Sequence, residues 1–369
     1  MTKLFDYLKL RIESEGSITL ADYMAESLGH SEFGYYNNTV PLGKSGDFIT
    51  SPEVSQMFGE LIGLWSAACW QQLGTPSKFN FIELGPGRGT LLMDAIRAAK
   101  VVPGYLDSIE LHLVETSPIL AKLQKESLST LKNSCLWYKK FEQVPDGPFF
   151  LIGNEFIDTL PIRQYIGAGG EWYEQLVGLN KFSTALCRIT SPTPSDGEFI
   201  VPLGLSGWDD GIIWEICHEA QKIISSISSA LLERGGVAIF VDYGYVKQTG
   251  GDTFQAVRNH EYSDPLEAPG LTDLTAHVDF EAIKQVAEKK GVRVSGPVTQ
   301  GAFLRRIGIE KRAENLMNVA TPRQKRDIET GVKRLIGDGD NEMGRLFKVI
   351  ALSYPKTFQL EGFYNAECD

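Results

Sequence analysis

Phe79-Asn80-Phe81-Ile82-Glu83-Leu84-Gly85-Pro86-Gly87-Arg88-Gly89-Thr90 is the stretch that decides the fold. Phe79 to Leu84 reads as a buried strand and the alternating glycines as a turn, after which Leu91, Leu92, Ala95, Ile96 and Ala99 form one helical stripe over Thr90 to Lys100. Strand, glycine turn and helix in that order open a βαβ unit. Outward from it the alternation continues. Ile109 to Glu115 is a second strand, and Pro118 opens a second helix, where proline is tolerated in the first turn. A short strand runs near Leu136 to Tyr138, and Pro148 to Gly153 is a buried run that leaves through Asn154-Glu155. Ile213, Ile216, Ala220, Ile223, Ile227 and Leu231 have helical spacing that stops at Gly235-Gly236, before a strand over Val237 to Val241. A long polar loop precedes a helix marked by Phe280, Ile283, Val286 and Ala287, and Leu346 to Leu352 is a closing strand.

This pattern predicts an α/β protein with a Rossmann-like parallel core. The stretch from Ile162 to Ile189 changes to strand-like segments and reads as an antiparallel insertion, and Ser191 to Glu198 reads as a loop. Gly301 to Glu342 is charged and helical, a lid or partner surface. The organisation expected is an N-terminal helical segment over 1–77 covering the cofactor site, a core over 78–353 with insertions at about 162–198 and 301–342, and a C-terminal tail over 354–369.

Composition limits the function classes. In 369 residues, 43% apolar and 22% charged content excludes collagen-like, wholly disordered and coiled-coil chains. A net charge of −11 argues against a general nucleic-acid binder, whose footprint would be basic. Cys69, Cys135, Cys187, Cys217 and Cys368 are odd in number and lack paired spacing, so neither a disulfide framework nor a zinc ribbon is indicated. No apolar run reaches the roughly 18 residues of a membrane span. The N-terminal stretch carries Asp6, Glu13 and Glu15, unlike a signal or transit peptide, so a cytoplasmic location is expected.

Glycines without Cβ let a ligand approach the turn closely, while the first N–H groups of the following helix offer hydrogen bonds. A dinucleotide fingerprint wants G-x-G-x-x-G, whereas this turn is G-x-G-x-G with Pro86 removing one donor. Gly43-Lys44-Ser45 ends like a P-loop, but Asn38 stands where its first glycine should be. S-adenosyl-L-methionine has no diphosphate to cradle and fits better. It needs backbone donors and carboxylates, supplied by Glu83, Gly85, Pro86, Gly87, Gly89 and Thr90, with Glu115 at the next strand end for the ribose hydroxyls. The bland alternative is a tight strand-to-helix turn with a solvated glutamate. Thr50 and Ser51, with Glu53, precede a helix and are further candidate cofactor contacts, although N-capping accounts for part of their appeal.

In open parallel sheets ligands sit outside the carboxyl ends of the strands. Asn154-Glu155-Phe156-Ile157-Asp158 lies at such an end and offers an amide and two carboxylates able to converge on a cation. A guanidinium matches carboxylates with a fork of donors, which makes Asn154, Glu155 and Asp158 candidate catalytic residues for arginine methylation. Capping of a turn is the competing account of Asp158. Asp242-Tyr243-Gly244-Tyr245 ends the fifth strand and lines the same cleft or merely packs. His260, His277 and Asp279 show no metal-ligand spacing, and no metal is expected.

The run from Gly46 to Glu60, the runs Glu83 to Thr90 and Asn154 to Pro161, Asp264-Pro265-Leu266, Asp273 to Phe280 and Glu342 to Val349 together resemble the MidA family of S-adenosyl-L-methionine-dependent methyltransferases. That family includes a mitochondrial arginine methyltransferase of complex I assembly. The resemblance covers most of the chain. It implies a seven-strand methyltransferase core with added substrate elements. For the mitochondrial members it implies symmetric dimethylation of an arginine in a quinone-module subunit of respiratory complex I. The N-terminus makes this chain look like a bacterial relative, acting on the equivalent subunit or on something else. A non-catalytic assembly or binding factor and a small-molecule methyltransferase are the alternatives.

Overall fold

The computed structural model describes residues 2–38, 50–195, 210–247, 249–258 and 261–363. Gly43-Lys44-Ser45, His260 and Cys368 lie outside them. The quoted stretch forms strand β1 (Phe79–Leu84), buried along its whole length, and helix α2 (Thr90–Ala99), preceded in the chain by helix α1 (Gln56–Gln72). The further strands of the same sheet are β2 (Ile109–Val114), β3 (Cys135–Tyr138), β4 (Phe149–Asn154), β5 (Gly236–Tyr245), β6 (Arg293–Thr299) and β7 (Phe347–Tyr354). Their order is β3-β2-β1-β4-β5-β7-β6, and the two-residue strand Val278–Asp279 pairs with the end of β5. Strands β3 through β5 are parallel, whereas β7 runs antiparallel to both β5 and β6.

This sheet is the α/β core that the resemblance implies. From β1 the chain builds outward through β2 and β3, then returns to lay β4 on the other side of β1. The crevice above β1 and β4 is therefore the topological switch point, where α/β sheets hold their ligands.

Burial fixes the helices around that crevice. On α1, Gly59 and Gly63 lie one turn apart against α2: a Cβ on Gly59 would stand 2.9 Å from the Leu91 carbonyl oxygen, and one on Gly63 would stand 2.3 Å from that of Ala95. Larger residues there would push α2 away from the sheet. Met57, Phe58, Ile62, Phe81, Leu92, Ala95, Phe150 and Ile239 are buried in one continuous apolar cluster. Each large side chain of this kind contributes about 1.5–3 kcal/mol. Gly235, with φ of 74°, closes the helix His218–Arg234 by donating its N–H to Leu231, as its sequence position predicts.

Chain contacts divide the protein into two units. One comprises Leu42–Asp158, Ile223–Lys247 and Val278–Asp369, and holds the sheet above. The other comprises Met1–Pro41, Thr159–Lys222 and Gln248–His277. Within the second unit Arg163–Ala168, Glu171–Leu179 and Leu186–Thr190 form the expected antiparallel meander, turned at Gly169-Gly170 where both φ angles are positive. Two readings are corrected here. Ile213–Ile216, expected to begin a helix, is a strand paired with Arg163–Ile166, so the helix starts at His218. The polar loop before Phe280 contains the strands Gln255–Arg258, Glu261–Ser263 and Asp273–Thr275, each too short to show a period. A buried polar network fastens this unit. Gln164 donates to Glu215 and Asp252 at 2.7 Å each, and Arg188 reaches Asp252 at 2.7 Å.

Candidate active site

The first part of the site is the exit of β1. Gly85, Gly87 and Gly89 have φ of 60°, 55° and 79°, a region that costs residues with a Cβ. The Gly85 N–H donates to the Val114 carbonyl, and the Gly89 N–H closes the turn on Pro86. Gly89 caps α2 without any side-chain acceptor, so the first N–H groups of that helix remain available to a ligand. A Cβ on Gly85 would meet the Phe156 ring at 3.1 Å, and one on Gly89 would meet Leu128 at 3.2 Å. The turn is thus a cradle with room for backbone only.

Two acids frame it. Glu83 is 4% exposed, and its buried Oε2 has no hydrogen-bond partner among the described residues. Burial pushes its pKa up to about 8, so a cationic group nearby would be welcomed. Glu115 is also raised by burial, but its Oε1 accepts the Ser117 N–H at 2.7 Å and its Oε2 accepts Gln124 Nε2 at 3.0 Å. The same Nε2 donates to the Gly87 carbonyl at 2.9 Å, and Gln124 Oε1 accepts from the Trp137 indole at 2.9 Å. Gln124, on helix α3 (Pro118–Ser127), therefore ties the glycine turn to Glu115. Sequence reading passed over it, because a buried glutamine inside a helical stripe carries no local signal. Thr90 donates its hydroxyl to Glu53 Oε1 at 2.5 Å.

The second part lies at the exits of β4 and β5. Glu155 has φ of 49°, a left-handed conformation worth about 1–3 kcal/mol of strain in a residue with a side chain. Its Oε1 accepts the Ser51 N–H at 2.8 Å and Asn154 Nδ2 at 3.1 Å. Burial, together with the neighbouring Asp158, raises its pKa to about 8 against the opposing Ser51 bond. Asn154 Oδ1 is buried with no hydrogen-bond partner. Asp242, 1% exposed at the end of β5, accepts the N–H groups of Ile157 at 2.9 Å and Asp158 at 3.2 Å. Burial, then Asp158 and Glu155, push Asp242 well above the ordinary carboxylate range.

The structure thus gathers the expected residues into two neighbouring groups, with Phe156 of the second packed over Gly85 of the first. Glu83, the glycine turn and Glu115 form one group, and Asn154, Glu155 and Asp158 the other. Thr50 precedes the short helix Ser51–Val54 without capping it through its side chain. Ser51 stands with the acids: its N–H reaches Glu155, and its buried hydroxyl donates to Gln300 at 3.3 Å. Asp242 was visible in sequence only as a strand end. No group of three or more potential metal ligands occurs among the described residues.

The glycine cradle, the open helix N-terminus, the unpartnered Glu83 oxygen and the Glu115 carboxylate fit a cofactor with a cationic part and a ribose. Comparison with known proteins agrees. Residues 61–298 match the family described as S-adenosyl-L-methionine-dependent methyltransferase. The Drosophila melanogaster protein named protein arginine methyltransferase NDUFAF7 homolog, mitochondrial, is 33% identical over 94% of this chain and 83% of its own length. The human protein arginine methyltransferase NDUFAF7, mitochondrial, is 34% identical over 95% and 83%. A solved Burkholderia thailandensis protein is 26% identical with a TM-score of 0.83, covering 98% of this chain and 94% of that one. Another from the same organism, solved with S-adenosyl-homocysteine, shares the fold at 24% identity and a TM-score of 0.84 over the same shares. The curated relatives are named as mitochondrial, which overturns the expected cytoplasmic location.

Proposed function

The chain belongs to the S-adenosyl-L-methionine-dependent methyltransferases, and from that membership we propose that it methylates an arginine side chain of a protein substrate at the exits of β4 and β5. The observation that carries this reading is the convergence of Glu155, Asp158 and Asp242 with the unsatisfied Asn154 Oδ1 beside the glycine cradle. When bound, S-adenosyl-L-methionine supplies a methyl group on a sulfonium sulfur. The backbone of Gly85 to Thr90 with Glu83 and Glu115 would hold it, and Thr50 and Ser51, whose N–H reaches Glu155, would stand between it and the acceptor acids.

A guanidinium is protonated at neutral pH and spreads its lone pairs over three nitrogens. Glu155 and Asp158 draw positive charge toward the nitrogens they bind and leave the remaining one better able to attack. Asn154 Oδ1 accepts from that nitrogen and sets its direction. Methylation then expels one N–H proton, which the Glu155 carboxylate, ionised beside the bound guanidinium, is placed to receive. Position and fixed charge supply the acceleration. The names of the relatives support a protein arginine as acceptor. The family resemblance extends the proposal to symmetric dimethylation of a quinone-module subunit of respiratory complex I or its bacterial equivalent.

Purified protein, S-adenosyl-L-methionine and arginine-containing peptides, followed by mass spectrometry of the products, test this reading. Methyl groups on arginine nitrogens are expected. Methylation confined to lysine or to small molecules refutes it.

A further inference from the structure

We propose that Asp242 is a positioning residue for the acceptor turn, its side chain gathering the turn's backbone N–H groups so that Glu155 and Asp158 are held where they meet the substrate. This deepens the arginine-acceptor reading and rests on it. The parallel register pairs Val241 of β5 with Asn154 of β4, which brings Asp242 level with the start of the turn. The Glu155 N–H donates to the Val241 carbonyl at 2.8 Å, and the N–H groups of Ile157 and Asp158 converge on Asp242 Oδ2. Three donors of an irregular segment therefore end on two consecutive β5 residues. Asp242 Oδ1 is held in turn by the Tyr243 N–H at 3.0 Å, so the carboxylate cannot rotate away without breaking a bond.

An acid is a costly choice here. Asp242 is buried beside Asp158 and Glu155, and its charge opposes theirs; Arg334 acts favourably on Glu155 from the helix Pro322–Ile336. Three hydrogen bonds accepted by one buried side chain explain why an acceptor is needed, and the two from the turn, both on Oδ2, require oxygen rather than charge. They also account for the left-handed Glu155, which persists only where its surroundings over-determine it.

Asparagine keeps an oxygen for Ile157 and Asp158 and gives up only the acceptor for the Tyr243 N–H, whereas alanine keeps none. With the full-length chain, S-adenosyl-L-methionine titration should give the same affinity for wild type, Asp242→Ala and Asp242→Asn. Single-turnover transfer to an arginine peptide should fall about 100-fold in Asp242→Ala, the scale of a misplacement near an ångström, and recover most of that loss in Asp242→Asn. Amide hydrogen exchange at Ile157 and Asp158 should accelerate in the alanine variant and stay protected in the asparagine one. Equal impairment of both variants with protected amides overturns the proposal, because charge would then matter and position would not. So does wild-type transfer by Asp242→Ala. Should that variant not fold, Asp242→Asn decides alone: near-normal transfer supports the role, and a loss like that expected for alanine overturns it. A wild-type protein that binds the cofactor but leaves arginine unmodified refutes the acceptor reading instead. Exchange then judges the positioning role by itself, with unchanged rates in Asp242→Ala overturning it.

Discussion

The exits of β1 and β2 and the exits of β4 and β5 lie on one edge of the same sheet and handle negative charge in opposite ways. At the first, Glu83 and Glu115 keep separate surroundings: one is buried without a partner on Oε2, the other is held by Ser117 and Gln124. At the second, Asp158 raises the cost of ionising Glu155, and both raise that of Asp242. A solitary acid suits a ligand whose charge is fixed. A coupled group suits one that arrives charged and gives up a proton in the reaction. On the proposed reading, that difference suits the first region to the cofactor and the second to the acceptor.

That division is most exposed to a change in the glycine turn. Gly85→Val places a branched side chain at φ of 60° and against Phe156, and should abolish S-adenosyl-L-methionine binding measured by calorimetry. Retained binding would mean that the turn does not cradle the cofactor. Next in size, Glu155→Gln should lower single-turnover methyl transfer by about two orders of magnitude or more while cofactor affinity survives. If affinity falls instead, the two regions are one site and the comparison fails.

Glu115→Ala should weaken the cofactor by about 1.5–3 kcal/mol, the scale of hydrogen bonds to a charged group. An unaltered dissociation constant would move the ribose to another acid. A last effect is one of pH. Glu83 has a folded pKa of about 8, above the unfolded value of about 4.3, so its contribution to stability is complete at low pH and is lost as pH rises through the folded value. Denaturant unfolding of the ligand-free protein should show stability falling between about pH 5 and about pH 8.5, with a shallower fall in Glu83→Gln. Parallel curves for the two proteins would show that Glu83 is solvated.

Much of the sheet was legible because most of its strands are largely buried and read as predominantly apolar runs. Phe79 to Leu84 matches β1 from end to end, and the expected second, third, fourth, fifth and closing strands all fall on observed ones. Strand β6 was missed. Arg293–Thr299 is only partly buried, and Gly296-Pro297 at its centre reads as a turn, where the register against β7 indeed shifts. Ile213–Ile216 misled for another reason: its isoleucines continue the period of the helix that follows, and only pairing with Arg163–Ile166 distinguishes the two.

The acids were legible to differing degrees. Glu83 and Glu115 stand at strand ends, a place that sequence reveals. The bond that brings Asp242 to the turn spans 84 and 85 residues to its two donors, and the one from Glu155 to Ser51 spans 104. Such pairings follow from strand order alone. The N–H of Asp158 is itself a donor, to Asp242 84 residues away.

The chain from Gly87 and Glu115 through the amide of Gln124 ends on an indole. Trp137 donates to Gln124, and the Lys125 ammonium lies 5.3 Å from the centre of its ring. Indole emission shifts in wavelength with the electric field along the ring and dims when a proton donor collides with it. Of the six tryptophans, Trp137 is therefore wired as an optical gauge of the cofactor cradle. Filling the cradle should change its colour and lifetime.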